Sequence, residues 1–174
     1  MALRRSRKEL KRENREMQVI SPSATFTRPN DTTAYASGDL VANSTTAGSV
    51  TPMAFFVGYG RYFELWRIEL ARSDTGVTNA NFNLHLFRDS PTVANGDNGA
   101  ISPSVSNFIG TFAVDVSGSL ATTGSGKGAV NQSQPALFSV DTDGLVYGLL
   151  SAGAAYTPTA NGTFTVTLIG KTYQ

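Results

Sequence analysis

Alternation of apolar and polar residues with a period of two dominates the chain after its first two dozen positions, the signature of strands with one face on a core. Phe82, Leu84 and Leu86 alternate with Asn83, His85 and Phe87, and Phe164, Val166 and Leu168 alternate with Thr163, Thr165 and Thr167. Phe108, Phe112, Val114 and Val116 share one face opposite Ile109, Ala113 and Asp115. Between residues 62 and 70 the pattern is imperfect: Phe63, Leu65, Trp66 and Ile68 are interspersed with Glu64, Arg67 and Glu69, which predicts a strand partly covered on both sides. Shorter strands are predicted at Ala24 and Phe26, at Ala34 and Tyr35, at Leu40 and Val41, and over 53–57, 136–140 and 145–150.

Turn-forming residues separate these runs. Pro29, Asn30 and Asp31 end the first, and Ser37, Gly38 and Asp39 precede the third. Asp141, Thr142, Asp143 and Gly144 read as the tip of a hairpin. Residues 117–134 are small, polar and glycine-rich and predict a long loop. Eight to ten strands, with no helical period between them, predict an all-β fold: an antiparallel β-sandwich or jelly-roll-like domain. A parallel sheet would need helical crossovers.

The first 22 residues follow another grammar. Ser6, Arg7, Lys8 and Glu9 match the S-x-x-E capping box, and good helix formers continue until Val19, Ile20, Ser21 and Pro22. A short N-terminal basic helical arm is therefore expected over residues 1–22, with the sandwich domain over 23–174. Leu3, Leu10 and Met17 recur every seventh position and give it only a thin apolar stripe, so the arm needs a partner to hold it.

Charge sharpens this division. Residues 1–20 carry seven basic and three acidic side chains, a net +4, and the rest carries seven basic and ten acidic, a net −3. The arm's candidate protein-contact residues are Arg4, Arg5, Arg7, Lys8, Leu10, Lys11, Arg12, Arg15 and Met17. Its three glutamates and lack of aromatic residues argue against a nucleic-acid site. At 174 residues the chain suits one core, and with no cysteine it has no disulfide, zinc-thiolate site or thiol nucleophile. No run reaches the roughly 20 apolar residues of a membrane span, and the basic start lacks a signal-peptide apolar segment. A soluble protein made in a cytoplasm, with no membrane partner, is expected.

Candidate chemistry is sparse. His85 is the only histidine, lies within a strand, and has no G-x-S-x-G elbow to serve. Glu64 and Glu69, five apart, are expected on opposite faces of a regular strand, and Asp141 and Asp143 read as turn residues. The oxygen-rich loop with Asp89, Asn95, Asp97 and Asn98 lacks the alternate ligands and closing glutamate of a calcium loop. GSGKG at 124–128 lacks the spacing of a phosphate loop. No catalytic residue, cofactor or metal site is predicted. Arg88, Asp89, Asn95, Asp97 and Asn98 remain as a candidate interface loop for a neighbouring subunit.

Two blocks carry a resemblance. AYASGDLVANS, within residues 23–55, and LHLFRDSPT followed by GDN, within 82–100, resemble a group of small structural proteins of tailed bacteriophages and prophages. The resemblance implies a virion component, such as a head decoration or cement protein that bridges major capsid subunits. It implies the major capsid protein and copies of itself as partners, with a trimer among the candidate oligomers, and a place on the head surface after synthesis in the host cytoplasm. The alternative expectation is a head- or tail-associated module that binds host glycan or a receptor through Tyr59, Tyr62 and Tyr156.

Overall fold

The computed structural model describes residues 17–59, 62–73, 80–104, 107–116 and 128–173. Ten strands form there: β1 Met17–Ile20, β2 Ser23–Thr27, β3 Leu40–Val41, β4 Met53–Phe56, β5 Tyr62–Arg72, β6 Asn81–Phe87, β7 Phe108–Asp115, β8 Gly128–Ser139, β9 Leu145–Ala152 and β10 Thr163–Tyr173. They make two antiparallel five-stranded sheets. One runs β1–β10–β5–β8, with β2 also on β10; the other runs β3–β9–β6–β7, with β4 also on β9. The chain crosses repeatedly between the sheets, so the strands that touch are seldom neighbours in sequence.

Facing rows of apolar residues build a sandwich core between the sheets. Phe63, Leu65, Ile68, Leu70, Phe164, Val166 and Leu168 come from the first sheet, and Phe55, Phe82, Leu84, Leu86, Val146 and Leu150 from the second. Aromatic rings run through it: Phe26 stacks on Phe164 at 5.5 Å, Phe82 meets Phe164 edge-on at 5.3 Å and Tyr156 at 5.2 Å, and Tyr156 stacks with Tyr35 at 6.2 Å. Truncation of one such phenylalanine to alanine costs about 3–5 kcal/mol, so this row alone ties both sheets together.

The imperfect alternation in β5 has a local cause. The register against β10 shifts between Ile169 and Gly170, a bulge that leaves Trp66 and Arg67 both exposed while Leu65 and Ile68 stay inside. Gly170 lies at this bulge because a Cβ there would come within 2.2 Å of the Glu64 carbonyl oxygen.

Several expectations change with the pairing. Met17–Ile20, read as the end of the helical arm, is strand β1 and pairs with Gly170–Tyr173 of β10. The body of the arm, with Arg4, Arg5, Arg7, Lys8, Leu10, Lys11, Arg12 and Arg15, lies outside the described residues. Strand β8 begins at Gly128 rather than at 136, because β5 supplies backbone partners as far as Leu70. Asp141 to Gly144 does turn the chain, with Gly144 at φ 72° donating to the Asp141 carbonyl, yet it joins β8 and β9 of different sheets and makes no hairpin. Tyr35 makes a single bridge to Tyr156 instead of a strand. Phe108, expected on the inner face, is 47% exposed, since the β6–β7 register shifts between Leu86 and Phe87.

Candidate functional site

The two outer faces of the sandwich are unlike. Over the β3–β9–β6–β7 sheet the connection between β6 and β7 folds back and builds a second small core from Leu40, Ala42, Phe87, Val93 and Leu149, with Val50, Ile101 and Tyr147 packed against it. The candidate interface loop is part of this cover. Phe87 and Val93, fully or nearly buried, draw the loop down onto the sheet.

The loop's polar residues are consequently divided in their roles. Asp97 turns inward, where its carboxylate accepts hydrogen bonds from the Arg28 guanidinium at 2.8 Å, the Tyr35 hydroxyl at 2.7 Å and the Ala42 amide at 2.7 Å. Arg28 also donates to the Tyr35 hydroxyl and to the carbonyls of Asp31 and Thr159, both at 3.1 Å. Burial, with the Asp97 charge next, pushes the Tyr35 hydroxyl well above the usual phenol range, so it stays protonated and donates. Gly96 permits the approach: a Cβ there would lie 2.1 Å from the Thr45 carbonyl oxygen. Asn95 donates to the Ala100 carbonyl at 2.8 Å, and Asn98 takes a left-handed φ of 63° while its amide donates to Leu40. Arg88 is half-buried, and Asp89, the one exposed member of the five, accepts from the Asn107 amide.

His85 links three strands of the same sheet. Its Nε2 lies 2.9 Å from the Ser151 hydroxyl of β9 and its Nδ1 2.9 Å from the Thr111 hydroxyl of β7. Burial lowers its pKa, so it is neutral at pH 7. Ser151 is 1% exposed, and no carboxylate orients the ring, so the arrangement lacks the access and the third partner of a nucleophilic triad. No group of three or more histidine, cysteine, aspartate or glutamate side chains gathers among the described residues. A cavity lined by Phe26, Val41, Val50, Met53 and Leu149 measures about 10 Å³, room for no more than a water molecule.

Among the described residues nothing covers the outer face of the other sheet, and it carries the conspicuous side chains. Tyr62, Trp66, Leu137 and Val19 are exposed there by 48%, 36%, 62% and 61%. In their midst the Glu64 carboxylate accepts a hydrogen bond from the Tyr173 hydroxyl, and this bond, with the Trp66 side chain and Lys171 nearby, holds its pKa below the usual carboxylate value. The Lys171 ammonium sits 5.2 Å from the centre of the Tyr173 ring. Further along the same face the hydroxyls of Ser23 and Thr167, and of Thr25 and Thr165, pair at 2.8 Å. Of this cluster the sequence marks Tyr62 as a candidate contact and Glu64 as a carboxylate; the irregular alternation around Trp66 and Arg67 is the signal for an exposed Trp66, and strand pairing alone brings the others beside it. The expected three-tyrosine platform does not form, because Tyr156 is 2% exposed and stacked in the core.

No family model and no curated protein matches the chain. Among solved structures it is similar to PRD1 vertex protein P5, at 16% identity over 86% of this chain and 95% of that one, with a TM-score of 0.30. A protein described as sugar-binding from Bacteroides thetaiotaomicron shares 10% identity over 86% and 87% of the two chains, again with a TM-score of 0.30. A chain of deformed wing virus shares 12% over 98% and 82%, with a TM-score of 0.27. Superpositions this loose carry no argument about function.

Proposed function

We propose that this chain is a structural protein of a virion, a capsid decoration or cement protein whose sandwich sits on the head and bridges major capsid subunits. The observation that carries the reading is the strand order: β2–β10–β5–β8 facing β4–β9–β6–β7, with successive strands crossing between sheets. That is the winding of a jelly roll, an architecture used in viral capsid and lectin domains. The resemblance of AYASGDLVANS and LHLFRDSPT to small phage structural proteins supports the same setting. A fold hosts many functions, so particle binding itself is the test.

In this reading the basic arm reaches a shell subunit while the sandwich stays outside. Burial that exists only in the assembled state stabilises that state by mass action. The purified chain, added to heads that lack it, should bind to saturation at a fixed copy number, and electron micrographs of labelled virions should show it on heads. Removal of residues 1–16, which leaves β1 and its pairing with β10 in place, should lower occupancy. Failure of the full chain to bind heads, or label confined to tails, would overturn the assignment.

A further inference from the structure

We propose that two copies of this chain pack face to face through the outer surface of the β1–β10–β5–β8 sheet, about a two-fold axis that runs parallel to the strands between β10 and β5. The register of the sheet supplies the reason. Across the four strands Val19 stands beside Lys171, Lys171 beside Glu64, and Glu64 beside Leu137. Read in order, the row is apolar, positive, negative, apolar. Reversed and laid on itself it is complementary at every position: Lys171 meets Glu64 of the second copy, and Val19 meets its Leu137.

The neighbouring rows obey the same rule. Tyr173 stands beside Tyr62, so the axis sets aromatic against aromatic. Ile169 stands beside Arg67 and Thr167 beside Glu69, so Arg67 meets an isoleucine and Glu69 a threonine. No like charges are opposed among these rows. An isologous interface requires this kind of self-complementarity, and opposed like charges would cost several kcal/mol.

Other surfaces fit less well. Exposed valine and leucine at the two edges of the row offer a sugar neither a hydrogen bond nor a stacking face, but gain from burial against aliphatic side chains. The opposite outer face is already covered by the chain's own loop. The available area suffices: a sheet four strands wide at about 4.8 Å spacing and as long as its 11-residue β5 and β10, with β1 and β2 following one another along one edge and β8 along the other, presents roughly 700 Å², near the ~800 Å² per partner of a standard interface. The paired serine and threonine hydroxyls then form a polar rim at one end of the contact, and the rings of Tyr62 and Tyr173 pack at the other. Sheets stacked in this way keep their strands nearly aligned. The inference deepens the assembly role proposed above by naming the surface through which copies meet, and it does not depend on what the arm binds.

Sedimentation equilibrium of the full chain on its own, at on the order of 100 µM, tests it. The wild type should be a dimer. Lys171→Glu puts glutamate opposite glutamate twice, Glu64→Lys does the same with lysines, and each should weaken dimerisation at least roughly tenfold. An equimolar mixture of the two variants should recover the dimer, because every facing pair is then opposite in sign; repair of the fold within one chain cannot produce that result. Leu137→Arg, at an exposed position, should also yield monomers, and circular dichroism checks that every variant is folded. A monomeric wild type, variants that dimerise like the wild type, or a mixture of folded variants that stays monomeric would each overturn the proposal. A chain that stays monomeric yet decorates heads sinks the dimer alone, whereas a dimer that ignores heads sinks the virion assignment alone.

Discussion

Arg28 and Asp97, 69 residues apart in sequence, meet at 2.8 Å with both side chains wholly buried. The pair fastens the end of β2 to the loop between β6 and β7, and Tyr35 completes it by accepting from Arg28 and donating to Asp97. Removal of one partner leaves the other charge buried and uncompensated. Asp97→Ala should therefore cost about 3–5 kcal/mol in urea denaturation. Joint replacement by Arg28→Met and Asp97→Leu should cost less than Asp97→Ala alone, since no buried charge remains. A double variant as unstable as the sum of the two single ones would show that the residues do not act as a pair.

Tyr35→Phe tests the third member. The change keeps the ring stacked on Tyr156 and removes only the hydroxyl, leaving Arg28 and Asp97 each short of one hydrogen bond. A loss of about 1–3 kcal/mol is expected in the same assay.

Gly96→Ala should destabilise through space alone. Its Cβ would fall 2.1 Å from the Thr45 carbonyl oxygen, and the obstacle is backbone rather than a flexible side chain. The cost should be about 1–3 kcal/mol. Hydrogen exchange should show the greatest loss of protection at the Asp97 amide, which donates to Ser44, and at the Leu40 amide, which donates to Gly99.

Stability should depend on pH through His85. Burial holds its folded pKa below the ordinary 6.5, so the unfolded chain takes up a proton first as pH falls. Its stabilising contribution is complete above pH 6.5 and is lost as pH drops through the folded value. His85→Gln should accordingly show a smaller stability difference between about pH 7.5 and 5.5 than the wild type does. An unchanged difference would count against a buried neutral imidazole.

Glu64 offers a local readout on the outer face of the β1–β10–β5–β8 sheet. The Tyr173 hydroxyl is the main cause of its lowered pKa, and the same bond raises that of Tyr173. Carboxyl titration followed by NMR should move to higher pH in Tyr173→Phe, while Thr165→Val, on the same face, should leave it in place. Because the lowered carboxyl stabilises the folded state only when ionised, that contribution is present above the usual glutamate range and fades as pH falls through the lowered value.

Period-two alternation made β6 and β10 legible in the sequence, because a strand with one face on a core must bury every second residue whatever lies opposite. Turn chemistry likewise marked Asp141 to Gly144, since Gly144 at φ 72° needs no tertiary support. Composition and spacing were also enough to predict an all-β chain with two patterned layers. Pairing was not legible. Whether Asp141 to Gly144 closes a hairpin or carries the chain to the other sheet depends on which strands compete for β8 and β9, and long-range burial decides that.

Asp97 and Lys171 mark the same boundary. Alone in the sequence, Asp97 is one more oxygen in a polar loop; it becomes the anchor of a buried cluster only when Arg28, Tyr35 and the Ala42 amide converge on it. Lys171 and Glu64 become neighbours through strand register, and the bulge at Gly170 sets that register near Trp66. The sequence by itself thus determined which residues face inward along regular strands such as β6 and β10, a property of local geometry and hydrophobicity. Only the tertiary structure decided which polar residues meet, because those contacts span many tens of residues and depend on how the two sheets are wound.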